Sequence, residues 1–118
     1  SVHADRRRTK FEGQLEQALP LMAGSLRAGF GLMQAIDAVA RETEPPIADE
    51  FRRIVVESRL GRDVDDSLHA LAERIGSDDF NFVVEAIEIH RQVGGDLAEV
   101  LDNVTDVPET VRFCVVSV

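Results

Sequence analysis

The sequence predicts an all-α fold, an antiparallel six-helix bundle made of three helix–glycine–helix hairpins. Three observations predict it. Apolar residues recur at spacings of three and four along nearly the whole chain, which is the helical period. Glycines at 29, 61 and 94 punctuate that period at intervals of 32 and 33 residues, each followed within three residues by a new apolar stripe. The apolar set is Leu, Ile, Val and Ala, and every aromatic residue is Phe, with no Trp or Tyr. Such a set suits helix-on-helix packing better than a β-sandwich. At 118 residues the chain fits one domain that can bury a core without a disulfide or metal staple.

Residues 1–9 lack apolar periodicity and read as a basic, flexible arm, with Arg6, Arg7, Arg8 and Lys10 as its charge. Two readings of the arm stand: a solvated terminus, or a juxtamembrane stretch, since basic residues collect on the cytoplasmic side of a span. The first helix carries Phe11, Leu15, Ala18, Leu19, Met22 and Leu26 on one stripe, with Pro20 expected to kink it. Gly29 and Gly31 stop it. The second helix presents Leu32, Ala35, Ile36 and Val39 and closes at Pro45-Pro46. The third runs from Ile47 to Leu60, with Ile47, Phe51, Ile54, Val55 and Ser58 inward, and Gly61 ends it. Asp63 caps the fourth, which carries Val64, Leu68, Leu71, Ala72 and Ile75 and stops at Gly76.

Ser77 or Asp78 starts the fifth helix, which reaches Val93 before Gly94-Gly95. It is apolar on two sides: Phe80, Val83, Val84 and Ile87 form one stripe, and Phe82, Ala86, Ile89 and Val93 a second. A helix of that kind is either central in the bundle or exposed as a contact surface for self-association or a partner. The sixth helix starts at an Asp96 cap with Leu97, Val100, Leu101 and Val104. Three segments superimpose on their glycines: Arg27-Ala-Gly29, Arg59-Leu-Gly61 and Gln92-Val-Gly94, each leading into the same apolar offsets. Glycine suits these connections because a helix commonly ends at a residue that takes positive φ. The organisation is thus an arm at 1–9, a helical domain at 10–104 and an irregular tail at 105–118. In the tail Pro108 should stop a helix, and the terminal run has strand-like composition. A divergent terminus and a vector-derived tail both fit it.

No catalytic constellation stands out, and no cofactor or small-molecule substrate is implied. A net charge of −9 repels phosphate backbones and argues against nucleic-acid binding. Asp63, Asp65 and Asp66 resemble the opening of a calcium loop but lack its glycine and distal Glu, and fit better as first-turn acids. His69 and His90 have no partners at zinc spacing, and no Lys-Ser/Thr follows the glycines as a phosphate loop requires. Cys114 is the lone cysteine, with no basic neighbour closer than Arg112. No window approaches the roughly 18 apolar residues of a membrane span. Asp37, Glu42, Glu44, Asp65, Asp66 and Glu73 form acidic faces that are either solvated helix surface or a seat for a basic partner.

From Phe11 to Val104 the chain resembles the cytoplasmic domain of the type II secretion system F family, most closely its tight-adherence B branch. The residues that carry the resemblance are Gln14-Leu15, Ala18-Leu19, Leu26-Arg27-Ala28-Gly29, Gln34-Ala35-Ile36 and Val39-Ala40. They continue through Glu50-Phe51, Arg59-Leu60-Gly61, Ser67-Leu68, Leu71-Ala72-Glu73-Arg74-Ile75-Gly76, Gly94-Gly95-Asp96-Leu97-Ala98 and Leu101. Pro20 and everything after Val104 depart from the family pattern. The resemblance implies a non-catalytic scaffold: one cytoplasmic domain of a bacterial inner-membrane platform protein in secretion or pilus assembly. Its implied partners are the secretion ATPase, a paralogous platform protein and further copies of itself. Asp65, Asp66 and Glu73 are then candidates to face the ATPase. The alternative is a soluble adaptor of tetratricopeptide-like architecture, whose period is close to 32–33 but whose Trp and Tyr positions are missing here.

Overall fold

The computed structural model describes residues 2–94 and 96–104, apart from the side chains of residues 3 and 104. Among them are six helices and no strand: α1 (Val2–Arg27), α2 (Leu32–Glu42), α3 (Ile47–Arg59), α4 (Val64–Ile75), α5 (Asp78–Val93) and α6 (Leu97–Val104). Each helix packs against the next in sequence, as the short reversals between them require. The turns at Gly29, Gly61 and Gly94 therefore lie toward one end of the bundle. The connections at 43–46 and 76–77 lie toward the other.

The repeat seen in the sequence is also a repeat of backbone conformation. Gly29, Gly61 and Gly94 take φ of 97°, 97° and 95°, a region an L side chain enters only at a cost of about 1–2 kcal/mol. Gly95 and the tail at 105–118, with Pro108 and Cys114, fall outside the described residues. Other helix ends differ in how they are satisfied. Ser77 Oγ accepts from the Phe80 amide at 3.1 Å, and Asp96 Oδ1 from the Glu99 amide at 3.2 Å, both ordinary N-caps. Asp63 occupies the N-cap position of α4, yet its side chain accepts no capping bond.

One expectation is corrected. The basic arm is not a loose segment but the first turns of α1. Arg and Lys are good helix formers, and the charge is partly compensated: Arg8 lies 3.4 Å from Asp5, and Arg7 reaches Glu50 on α3. The most central helix is α1. It packs most extensively against α2 and α6 and also meets α4 and α5. Its buried face is Phe11, Leu15, Ala18, Leu19, Met22 and Ala23, at spacings of three and four. The helix runs on through Pro20, which is exposed, so the missing amide falls on the solvent side. The core closes on an aromatic cluster, with Phe80 edge-on to Phe11 at 5.1 Å and tilted against Phe51 at 6.2 Å.

Candidate functional site

Two ends of the bundle are built from different chemistry. At the end where α1 begins, polar side chains cross between helices. Glu50, nearly fully buried on α3, accepts from Arg7 of α1 at 2.8 Å and from Arg74 of α4 at 3.1 Å. One carboxylate so occupied on both oxygens joins three helices. Gln14 of α1 clasps the α2–α3 connection, donating to the Glu44 and Pro45 carbonyls and accepting from the Ile47 amide at 3.1 Å. Ser77, buried ahead of α5, donates to Glu12 of α1. Beside these ties lies a groove of about 460 Å³ lined by Arg6, Arg7, Lys10, Pro45, Pro46 and Asp49.

The glycine-turn end is apolar at its surface. Six large hydrophobic residues are exposed among those described, and five of them are here: Phe30, Val56, Leu60, Ile89 and Val93. Val56 on the last turn of α3 and Leu60 at its C-cap stand four apart, as do Ile89 and Val93 at the end of α5, so each pair lies on one side of its helix. Leu60 and Val93 are each 82% exposed, and both directly precede a turn glycine. Nothing in the chain's own packing calls for an apolar side chain at such a position.

The second stripe of α5 is consequently split. Phe82 is half-buried against the core and Ala86 is buried, whereas Ile89 and Val93 face out. The acidic trio is split as well. Asp65 turns toward α5 and pairs with Arg91 at 2.7 Å, while Asp66 and Glu73 stay exposed. Seven residues, about 10.5 Å of helix axis, separate the latter two on one face of α4. His69 meets Glu88 across the same α4–α5 seam, and His90 Nδ1 sits 3.0 Å from its own helix's Ala86 carbonyl. Among the described residues no three His, Cys, Asp or Glu side chains gather as a metal site. No helix there is long and apolar enough to cross a membrane.

Glu57, on the last turn of α3, carries a perturbed carboxyl. Burial alone would raise its pKa, but the neighbouring Ser67 hydroxyl and the Arg62 and Arg53 guanidiniums outweigh burial and hold it below the ordinary 4.5. Arg62 reaches it from the Gly61 turn at 3.1 Å. Helical periodicity does not mark Leu60, Val56 or Phe30 as surface groups. For Leu60 a signal existed, since it occupies the same repeat position as Val93.

A family model described as "Type II secretion system (T2SS), protein F" matches residues 18–112, most of the chain and eight residues past α6. Comparison with curated proteins and with solved structures returns no match. The match covers all three glycine hairpins and sets aside the tetratricopeptide-like alternative. A chain whose helical repeat, glycine turns and family match coincide in this way belongs to the type II secretion system protein F family, the platform proteins of type II secretion and type IV pilus machines.

Proposed function

We propose that this domain is a non-catalytic scaffold of the tight-adherence branch, the cytoplasmic part of an inner-membrane platform that couples a secretion ATPase to pilin assembly. The observation that carries it is the concentration of exposed apolar side chains at the glycine-turn end. Exposed pairs such as Ile89–Val93 and Val56–Leu60 are stable in water only at a solubility cost, and a partner that covers them removes it. Asp66 and Glu73 supply a negative flank to steer a basic partner such as the ATPase. Asp65 contributes less, being paired already. A paralogous platform protein or a second copy of this chain competes for the same apolar surface.

The test uses Ile89→Glu/Val93→Glu. Both side chains are exposed, so stability should change by no more than about 0.5 kcal/mol per site, while binding to the ATPase of the same machine should fall at least tenfold. Unchanged binding would discard the face. Phe82→Glu is a poorer probe, because Phe82 also packs against the core. Charge reversal at Asp66 and Glu73 should slow association and weaken its salt dependence.

A further inference from the structure

The groove beside the start of α1 has an uneven charge balance. Of its three cations, Arg7 is committed to Glu50. Its one acid, Asp49, is engaged by Arg52 at 3.2 Å. Arg6 and Lys10 remain exposed, four residues apart on one side of the helix, with no acidic partner among the described residues. The opposite wall is Pro45-Pro46, which offers no amide donors and a rigid apolar surface. The first ten residues carry +3 within a chain of −9, so positive potential is concentrated at this end.

We propose that this groove seats the phosphate of an anionic lipid headgroup and fixes the α1 end of the domain against a membrane surface. An arginine and a lysine on one side of a groove match a phosphate diester, with the guanidinium able to donate two parallel bonds. Val2 decides between a lipid and a soluble phosphate. It is 68% exposed and precedes Arg6 by four residues, so 2, 6 and 10 form one stripe of an apolar group and two cations. That is the arrangement of an interfacial helix, whose apolar group enters the headgroup layer while its cations meet phosphates. A free phosphate would gain nothing from Val2. This inference rests on the reading that the domain works beside a membrane, and not on the partner face at the other end.

Co-sedimentation of the 118-residue chain with phosphatidylcholine vesicles, with and without phosphatidylglycerol, tests it. Binding should require phosphatidylglycerol and weaken with salt. Each basic residue near an anionic surface raises partitioning about fivefold, so Arg6→Glu should lower it at least that much. Arg59→Glu, the same charge change on an exposed α3 residue, should leave it within twofold. Equal losses in the two variants would reduce the effect to net charge and overturn the site. Absence of vesicle binding would overturn the lipid, and so would inorganic phosphate shifting the Arg6 and Lys10 resonances in a chain that ignores vesicles. Either failure leaves the partner-face test intact, since Val93 and Arg6 lie at opposite ends.

Discussion

At the end where α1 begins, Glu50, Gln14 and Ser77 each link separate helices through buried or half-buried polar bonds. At the glycine-turn end the helices are joined by tight backbone turns and by more exposed ion pairs, Arg27 with Asp102 and Arg91 with Asp65. The difference teaches where specificity is stored. A buried carboxylate holding two guanidiniums tolerates little displacement, because losing them strands a charge in low dielectric. A surface pair can break and re-form with solvent as substitute. The first end is therefore suited to stay fixed, and the second to be reshaped by whatever covers its exposed Leu60 and Val93.

The largest expected effect comes from stranding Glu50. Arg7→Ala/Arg74→Ala should lower unfolding free energy by about 3 kcal/mol, measured by urea titration, since the carboxylate keeps its burial and loses both partners. The same loss at the other end, Arg91→Ala, should cost less than about 1 kcal/mol. Similar values for the two would erase the contrast between the ends. A smaller effect concerns acid. Glu57 has its folded pKa below the ordinary 4.5, so its contribution is complete above that value and is lost as pH falls through the folded pKa. Glu57→Gln should flatten the fall of stability on the acid side, in urea midpoints measured from neutral pH downward, and leave that on the alkaline side unchanged. A steeper acid fall in the variant would contradict the assigned direction.

Much of the fold was legible because helical periodicity and turn chemistry are local. The three glycines, the Ser77 and Asp96 caps and the inward Phe51, Ile54, Leu68 and Leu71 all follow from neighbours within four residues. What failed was not local. Residues 1–9 have no apolar period, yet from Val2 onward they belong to α1, with Arg7 tied to Glu50, forty-three positions away. The two readings of α5 could not be separated locally for the same reason: an apolar stripe is covered only where another helix lies against it, and Phe82 and Ala86 are covered while Ile89 and Val93 stay exposed. Asp63 had the type and position of a cap, but its side chain is not used as one. Leu60 was open to the repeat comparison, since Leu60 and Val93 precede equivalent glycines.

The central claim is that the polar-tied end is fixed while the glycine-turn end receives the partner. Amide hydrogen exchange, measured with and without the secretion ATPase of the same machine, tests it most directly. Added protection is expected at residues 56–66 and 89–94, with residues 43–50 and the start of α5 unchanged. Added protection confined to residues 43–50, with the turns at Gly61 and Gly94 exchanging as in the free chain, would contradict it.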